Sequence, residues 1–551
     1  MQKSRCSVFF ILFLAYFLSH TSCINRENDN EGKTVFRYNE SAGITTLDPA
    51  FARDQSIIWA CNQLYNGLVQ IDDSMRVLPA IAKTWEIDES GTKYTFYLRD
   101  DVRFHNTTFY DFPKDRVVKS SDFEYSFNRL IDPKVASPGS WVMGQVARKE
   151  GGFLDMETPS DTVLIINLKQ AFPPFLGILS MQYTSVVPHE VVEKYGVDFR
   201  NHPVGTGAFR YKMWKEGVKL VLEKNPDYFE EFDGEKLPFI DAVAVTFVVD
   251  KQSAFLEFVK GNLDFLSGID ATYKDELLTS SGKLNEKYES RFKMLTTPYL
   301  NTEYLGFNVD TSLHNPQDNP LMIREIRQAL NYGFDRRKMM QFLRNNIGEP
   351  AHYGMIPRGL QGFSENANYG YTYDTHKALE LLKEAGFPNG KGLPPIKLSV
   401  SNSYLDLSQY IQSELSRIGV NIQIDVNPPA TQRDLISQSK LDFFRGSWIA
   451  DYPDAENYLS LFYSKNFAPN GPNYTHFSNA HFDKLYEKSQ SIVNDSMRSL
   501  LYRQMDSIIM FEAPVIVLYY DQVVRLVQNN IEGLGNNPMN LLSLKKVKIL
   551  Q

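Results

Sequence analysis

The sequence predicts an α/β fold that is divided into two or three lobes. The chain has 551 residues, of which 43% are hydrophobic, and a single core rarely grows beyond about 250–300 residues. Strand and helix patterns alternate as βαβαβ in the second half, which favours a largely parallel sheet. Strand-like residues 513–527 follow two helices and have no lobe of their own. We therefore expect them to pair with strands of the first lobe.

The N-terminus has the pattern of a targeting segment. Lys3 and Arg5 precede the apolar run of residues 8–18, which suits a signal peptide and is too short to span a bilayer of about 30 Å. We predict a signal peptide over residues 1–22 and a polar tether over residues 23–34. Cys23, in LSHTSC, resembles the lipidated cysteine of a bacterial lipobox. A plain secretory signal with an incidental cysteine is the alternative.

Charge and cysteine content exclude other classes of protein. The net charge is −8 and Lys and Arg are spread along the chain, whereas nucleic-acid binding needs a basic stripe. If Cys6 is removed with the signal peptide and Cys23 is lipidated, only Cys61 remains, so an internal disulfide is not expected. Cys61 lies in the apolar run IIWACNQLYNGLV and is expected to be buried.

Periodicity predicts the elements of the first half. Residues 92–104 alternate apolar and polar side chains as a half-buried strand does, and residues 120–131 change to a helical period. Further strands are predicted at residues 161–168 and in a hairpin whose turn lies near residues 215–217. The segments IDAVAVTFVV, SAFLEFVKGN and LDFLSG then form a strand–helix–strand unit.

The second half repeats this alternation more clearly. Residues 323–334 form an amphipathic helix, and a second helix is predicted from an N-cap at Asp374 to a C-terminal Gly386. The βαβαβ pattern that follows consists of IKLSV, LSQYIQSELSRIG, VNIQIDV, RDLISQSK and LDFFRGSW.

Three carboxylates stand close together in RGSWIADYPDAEN, residues 445–457. They could hold a metal ion, run acid–base chemistry, bind a cationic ligand, or form a solvated loop. The stretch begins at the carboxyl end of the last βαβαβ strand, where open α/β sheets bind ligands, so we favour a binding role for this stretch over a merely solvated loop. Asp454 and Glu456 follow in a proline-containing loop and are expected to form a solvated face. A calcium loop is not expected, because the stretch lacks the spacing and the central glycine of such a loop.

No catalytic motif is complete. PHEVVEKYG, residues 188–196, has Glu193 where a zinc-protease helix needs its second histidine. The chain contains neither a Gly-x-Ser-x-Gly elbow nor a Gly-x-x-x-x-Gly-Lys phosphate loop. We therefore expect a protein that is not an enzyme and that has no cofactor and no metal site. An acidic-site hydrolase is the rival from another class, and it predicts metal dependence and turnover.

Residues 78–105, LPAIAKTWEIDESGTKYTFYLRDDVRFH, resemble the signature of the family 5 extracellular solute-binding proteins. These are the peptide- and nickel-type binding proteins of ABC importers. Further matching blocks run along nearly the whole chain after residue 34. They include PVGTGAFRYKMWKEGVKLVLEKNPDYF, IREIRQALNYGFDRRKM, YDTHKALELLKEAGFPNGKGLPPIKL and LDFFRGSWIADYPDAENYLSLFYS. The chain departs from the signature after His105, where Asn106 and Thr107 replace an aspartate–glycine turn and about eight extra residues follow.

The resemblance implies a three-lobed periplasmic-binding-protein fold of type II-like form, with a discontinuous first lobe. Two α/β lobes would close on the ligand by a hinge motion. On this basis lobe I comprises residues 35–69, 199–297 and 512–551. Lobe II comprises residues 70–198, and lobe III residues 298–511.

The resemblance also implies a ligand site. In oligopeptide-binding members the aspartate of the Trp-x-Ala-Asp-Tyr motif pairs with the ligand α-ammonium, and this position is Asp451 here. Arg445 matches a position that reaches the ligand carboxylate in some members, and its planar fork suits that role. Other residues expected at the ligand are Trp448, Ile449, Asn301, Tyr304 and Tyr520.

The implied function is capture of short peptides for an ABC importer. Backbone hydrogen bonds would supply most of the binding, as in strand addition, and the partners would be a peptide and an ABC permease. We expect a monomer in the periplasm or cell envelope that is held to the membrane by lipid at Cys23. The same fold could instead bind a nickel chelate, haem or a sugar, or serve as a surface sensor or adhesin.

Overall fold

The computed structural model describes residues 32–107, 112–313 and 319–550. The predicted signal peptide and Cys23 lie outside the described residues. Residues 35–551 form one unit of the structure. In the described part of the chain, no helix is both long and apolar enough to cross a membrane.

The strands are spread along the chain, and several follow one another without an intervening helix. The strands are β1 (Val35–Asn39), β2 (Val69–Ile71), β3 (Val77–Pro79), β4 (Ala82–Ile87), β5 (Lys93–Leu98), β6 (Met156–Ser160), β7 (Val163–Asn167), β8 (Phe209–Lys215), β9 (Lys219–Lys224), β10 (Glu231–Phe232), β11 (Glu235–Lys236), β12 (Ala242–Thr246), β13 (Phe265–Ser267), β14 (Phe292–Phe307), β15 (Glu349–Pro350), β16 (Ile396–Ser401), β17 (Ile422–Asn427), β18 (Phe443–Ile449), β19 (Val515–Gln528), β20 (Ile531–Glu532) and β21 (Lys548–Ile549).

The helices lie mainly in the second half. They are α1 (Gln55–Leu64), α2 (Ser120–Ile131), α3 (Phe175–Ile178), α4 (His189–Tyr195), α5 (Lys251–Val259), α6 (Lys274–Leu277), α7 (Glu286–Glu289), α8 (Arg324–Tyr332), α9 (Arg336–Arg344), α10 (Thr375–Glu384), α11 (Leu405–Ser416), α12 (Pro429–Ser437), α13 (Glu456–Leu459), α14 (Ala480–Gln490) and α15 (Asp495–Glu512). Asp374 caps α10 as predicted, because its side chain accepts the Lys377 N–H at 2.9 Å.

One large sheet runs through both halves of the chain. Among the described residues it has 11 strands, in the order β17-β16-β18-β14-β19-β13-β1-β12-β9-β8, with β15 paired to β19. Only β16, β17 and β18 pair in parallel in its C-terminal half, whereas β14 and β19 run antiparallel to their neighbours. The sheet is therefore mixed rather than largely parallel, because the chain enters and leaves this half through long antiparallel strands.

Two long strands join the halves of the large sheet. β14 and β19 pair with each other from Phe292↔Gln528 to Gly306↔Val515. One end of β19 pairs with β13, and the far end of β14 pairs with β18. The β14–β19 ladder shifts register between Pro298 and Thr302. A bulged two-stranded ribbon is thus the sheet connection between the halves.

A smaller four-stranded sheet, in the order β4-β5-β7-β6, lies beside the first half of the large sheet. Its buried residues Tyr94, Phe96, Leu164 and Ile166 join the same apolar cluster as Phe36 of β1. We call this cluster the first core. Helix α2 packs on this sheet and spans residues 120–131, as its helical period predicts.

The C-terminal half has its own apolar clusters on the two sides of the large sheet. The second core contains Leu300 and Tyr458 together with residues of α14 and α15. The third core contains Leu330, Ile411 and Phe443, so it joins helices α8 and α11 to β18. Helical faces that were predicted from their 3.6-residue period therefore face the sheet.

A buried carboxylate of α15 fixes the segment that precedes α10. The Asp506 Oδ1 accepts the backbone N–H of Met355 at 2.8 Å, and the Tyr369 hydroxyl donates to Oδ2 at 3.4 Å. Gly354 lies so close that a Cβ atom there would be 1.9 Å from Asp506 Oδ2. Burial raises the pKa of Asp506 to about 7.

The substitution Asp506→Asn should flatten the dependence of stability on pH. Since the folded pKa lies above that of an ordinary aspartate, the ionised group costs stability, and this cost grows as pH rises from about 4 to 7. Asparagine keeps an acceptor for Met355 and cannot ionise. Thermal midpoints measured from pH 4 to pH 8 should therefore fall less steeply for the variant. Exposed Asp434→Asn is the control, and equal slopes for all three proteins would contradict the expectation.

Candidate functional site

Asp451 lies just beyond the carboxyl end of β18, beside the β14–β19 ribbon. The Ala450 N–H donates to the Leu300 carbonyl at 2.9 Å, so the chain leaves β18 while still attached to β14. Residues 450–457, which we call the site loop, then turn into α13. This position agrees with the prediction that Asp451 stands at the carboxyl edge of the sheet.

Asn457 fixes the geometry of the site loop. Its Oδ1 accepts the indole N–H of Trp448 at 2.7 Å and the backbone N–H of Asp451 at 3.2 Å. Its Nδ2 donates to Asp451 Oδ2 at 3.4 Å. One buried amide therefore orients both the carboxylate and the indole of the Trp-x-Ala-Asp-Tyr motif.

The Asp451 carboxylate is accessible and has no charged partner. The residue is exposed to solvent, and no cationic side chain of the described residues forms an ion pair with it. Surrounding protein still removes much of its hydration and raises its pKa to about 6, although the Asn457 amide acts in the opposite direction. An accessible and unpaired carboxylate of this kind can accept a cationic group from a ligand.

The charge of Asp451 acts on two tyrosines. The pKa values of Tyr183 and Tyr474 are raised, first by burial and then by the charge of Asp451. Tyr183 comes from the region of the small sheet, whereas Tyr474 follows the site loop. Trp448 is half-buried, and its indole binds the same Asn457 oxygen as the Asp451 N–H. The surroundings of the carboxylate therefore include aromatic side chains.

Arg445 already has a carboxylate partner within the protein. Its guanidinium forms an ion pair with Glu303 and donates to the Tyr404 hydroxyl, and its Cζ lies 3.4 Å from the centroid of the Tyr404 ring. Glu303 is almost fully buried, and burial raises its pKa against the opposing effect of Arg445. A ligand carboxylate at Arg445 would have to compete with Glu303, so this role stays a prediction.

Asn301 links that ion pair to a second one. Its Nδ2 donates to Glu303 Oε1 at 3.2 Å and to Asp521 Oδ2 at 3.4 Å. Asp521 in turn pairs with Arg344 at 2.7 Å. The buried Asn301 Oδ1 has no hydrogen-bond partner among the residues that the structure describes. The network consists of two carboxylates and two guanidinium groups, so its charges balance beside the ribbon.

The remaining predicted site residues have different settings. Ile449 is exposed and pairs with Asn301 across the ladder. Tyr304 is buried on the opposite face, where Gly446 leaves room for its ring. The Tyr520 hydroxyl is buried, donates to the Gly354 carbonyl at 2.6 Å and accepts the Gly354 N–H at 3.0 Å. Their contacts with a ligand stay predictions.

The expectation that Asp454 and Glu456 form a solvated face is wrong. Asp454 is 5% exposed and Glu456 is 4% exposed. Asp454 pairs with Arg498 at 2.8 Å and accepts the Tyr502 hydroxyl at 2.8 Å. Glu456 accepts the hydroxyls of Tyr452 and Tyr486. The partners come from α14, α15 and the loop itself, so two of the three acids are structural and Asp451 alone is accessible.

The described residues contain no cluster of three or more His, Cys, Asp or Glu side chains that could hold a metal ion. A separate cavity of about 940 Å³ is lined by the C-terminal end of α1, the β2–β3 hairpin and residues 227–232, and neither Asp451 nor Trp448 contributes to it. The chemistry of the candidate site therefore rests on Asp451, its aromatic neighbours and the neutral ion-pair network.

The family model of the bacterial extracellular solute-binding proteins, family 5, matches residues 76–470. The chain belongs to this family. The matched range contains β14, β18 and the site loop, so the family assignment covers the candidate site. Proteins of this family bind solutes outside the cytoplasm, and the resemblance drawn from residues 78–105 is confirmed.

Known proteins resemble the family 5 chain over nearly its whole length. The glutathione-binding protein GsiB of Shigella flexneri serotype 5b is 26% identical over 498 residues, which are 89% of this chain and 90% of GsiB. DppA of Helicobacter pylori, solved with the peptide STSA, has a TM-score of 0.76 at 23% identity and covers 94% of this chain and 99% of its own. HbpA2 of Haemophilus parasuis has a TM-score of 0.79 at 20% identity and covers 94% and 100%. The multi-lobed α/β fold is thereby confirmed.

The sequence motif located Asp451 but missed the residues that position it. Asn457 lies within the quoted stretch 445–457, and the run of polar residues there gave no sign of its three hydrogen bonds. Glu303 gave no signal as the partner of Arg445, because the two residues are 142 positions apart. Tyr183 comes from another part of the fold, and only the tertiary structure brings it near Asp451.

Proposed function

We propose that this protein captures short peptides with a free α-amino group and delivers them to an ABC importer. The observation that carries the proposal is the unpaired, accessible Asp451 carboxylate, held by Asn457 among aromatic side chains. A partly desolvated carboxylate of this kind gains a counter-ion when an ammonium group binds. The similarity to proteins whose names describe binding of glutathione or peptides supports the same ligand class.

The proposed ligand lies along the site loop, beside the β14–β19 ribbon. Backbone hydrogen bonds hold the peptide, and they are independent of its side chains. Asp451 selects the amino terminus, while Arg445 engages the carboxyl end after exchange with Glu303. Nothing in this scheme requires a bond to be broken, so the protein works by binding and closure and not by catalysis.

The proposal includes three lobes with the boundaries expected from the sequence, and a monomer as the working form. It places the protein in the periplasm or cell envelope, with lipid at Cys23 holding it to the membrane. Closure of the lobes around the ligand presents the surface that an ABC permease recognises.

The test of the function is calorimetric titration of residues 24–551 after unfolding and refolding have removed any bound ligand. One titration uses a random pool of tri- to pentapeptides, and the other uses the same pool with acetylated α-amines. We expect heat from the free pool and none from the acetylated pool. Equal binding of both pools would show peptide capture without the Asp451 ion pair, and silence from both would remove the peptide proposal.

Peptide affinity should fall on acidification below about pH 6. The ammonium binds the ionised Asp451, whose pKa is about 6 in the free protein. Each further pH unit below this value should weaken binding by roughly tenfold, because the ionised fraction falls by that factor. Titrations at pH 5, 6, 7 and 8 with one tetrapeptide measure this slope. A flat profile from pH 5 to pH 8 would contradict the assignment of Asp451.

A further inference from the structure

Tyr452, the residue after Asp451, crosses from one core to another. Its chain neighbours Ala450, Ala455 and Tyr458 belong to the second core. The Tyr452 side chain is only 5% exposed and belongs instead to the first core, which contains the small sheet. Its ring centroid lies 6.4 Å from that of Trp141, which comes from the same side. The site loop therefore inserts an aromatic side chain into the opposite part of the molecule.

The surface that receives Tyr452 lies close to the site loop. We call the boundary between the small-sheet side and the C-terminal half the seam. Gly177 of α3 faces the site loop, and a Cβ atom at this position would lie 3.4 Å from Pro453 Cδ and 3.6 Å from Tyr452 Cβ. A methyl group at position 177 would therefore just touch the site loop, and a longer side chain would push α3 and the site loop apart. A second close approach lies at Gly91, where an added Cβ atom would be 3.8 Å from Val493 Cγ2.

The other end of Tyr452 is tied to its own half. Its hydroxyl donates to Glu456, which also accepts the hydroxyl of Tyr486. Asp451 directly precedes Tyr452 and Asn457 directly follows Glu456, and the side chains of Asp451 and Asn457 are hydrogen-bonded to each other. A shift of Tyr452 therefore moves the backbone that carries Asp451. The hydrogen bonds of Asn457 keep Asp451 and the rest of the site loop together during such a shift.

We propose that Tyr452 is a positioning residue that couples ligand binding at Asp451 to docking of the site loop on the small-sheet side. The inference rests on the proposed function for the identity of the ligand. Docking of the ring between Trp141 and α3 fixes Asp451 in the binding geometry. By thermodynamic reciprocity, an ammonium bound at Asp451 stabilises the docked arrangement by the same factor. The small-sheet region thus takes part in closure through its contact with Tyr452.

The test combines affinity with a distance across the seam. Spin labels on cysteines introduced at the exposed positions Glu157 and Lys484 report the separation of the small sheet from α14, in protein of residues 24–551 whose native Cys61 is buried. The variants are Tyr452→Ala, which removes the ring, and Tyr452→Phe, which keeps it and loses only the hydroxyl. Gly177→Leu obstructs the seam from the opposite side and leaves the sequence of the site loop unchanged. A tetrapeptide with a free amino terminus is the ligand.

We expect one narrow distance distribution for the unsubstituted protein with peptide and a broader, longer one for Tyr452→Ala and Gly177→Leu. Peptide affinity should fall by roughly 5- to 150-fold in both variants, the usual range of coupling between sites. Tyr452→Phe should restore the narrow distribution and most of the affinity. Rescue by phenylalanine separates docking of the ring from a role of the hydroxyl.

Two outcomes would overturn the coupling. One is an unchanged distance distribution in Tyr452→Ala and Gly177→Leu, whatever happens to affinity. The other is loss of affinity in Tyr452→Ala while Gly177→Leu binds normally, which would make Tyr452 a direct ligand contact. If the unsubstituted protein binds no peptide, the proposed function fails by itself. In that case the spin-label distances measured without ligand still test the docking of Tyr452. The docked ring should keep the distance distribution narrow in the unsubstituted protein, and its loss in Tyr452→Ala should broaden it.

Discussion

Asp451→Asn should abolish most of the affinity for peptides with a free amino terminus. Loss of one partner from a desolvated ion pair costs about 2–5 kcal/mol, or roughly 30- to 5,000-fold in the dissociation constant. Asparagine keeps the shape of the side chain and its contact with the Asn457 amide, so the site loop should stay folded. Calorimetric titration of one tetrapeptide into both proteins at pH 7.5 measures the loss.

Two controls make this result specific. Asp434→Asn neutralises an exposed carboxylate of α12 that lies outside the site loop, and it should bind like the unsubstituted protein. The N-acetylated tetrapeptide should bind the unsubstituted protein and Asp451→Asn with similarly low affinity, since the ion pair is absent in both cases. A difference of less than threefold between Asp451→Asn and Asp434→Asn would falsify the ammonium site.

Arg498→Met should strongly destabilise the C-terminal half. The Arg498 side chain is only 4% exposed, and it neutralises the buried Asp454 carboxylate, whose pKa burial already raises. Removing the cation leaves Asp454 with hydrogen bonds from Tyr502 and from the Glu456 N–H. An unpaired buried charge costs about 3–5 kcal/mol. Chemical denaturation followed by tryptophan fluorescence should show this loss of free energy of unfolding.

A double variant separates the pair from the packing around it. Replacing both partners, as Asp454→Asn with Arg498→Met, removes the charge along with its counter-ion. It should recover a large part of the stability, because a neutral pair leaves no buried ion. Arg337→Met, at an exposed arginine of α9, controls for the loss of positive charge. If Arg498→Met unfolds at the same denaturant concentration as Arg337→Met, the ion pair does not stabilise this half.

Local patterns predicted the elements well, because their signals lie within a few residues. The helical period of residues 120–131 and the N-cap at Asp374 both reappear in the structure. The strand predicted over residues 92–104 is shorter, since its ladder with β4 and β7 covers only Lys93–Leu98. Beyond this strand the alternation of side chains continues, and there the chain forms one isolated antiparallel bridge, between Arg103 and Val117.

Long-range pairing set the limits of sequence analysis at the site. Asp454 looked solvated because its partners Arg498 and Tyr502 follow 44 and 48 positions later. Glu303 and Arg445 are likewise distant in sequence and meet only where β14 and β18 run side by side. A motif could single out Asp451, whose role at a ligand stays a prediction. The buried charges of Asp454, Glu303 and Arg445 depend on partners that only the fold supplies.

The β14–β19 ribbon has a consequence for the thermodynamics of capture. Because its two strands are hydrogen-bonded to each other along most of their length, they cannot swing independently, and the halves share essentially one bending coordinate. A flexible tether would have to lose many conformations on closing, at about 1–2 kcal/mol for each residue that becomes ordered. The ribbon is held by its own hydrogen bonds, so little of the binding energy is consumed in restricting it. Weak and sequence-independent backbone contacts can then suffice for useful affinity, which is the condition for a receptor of broad specificity.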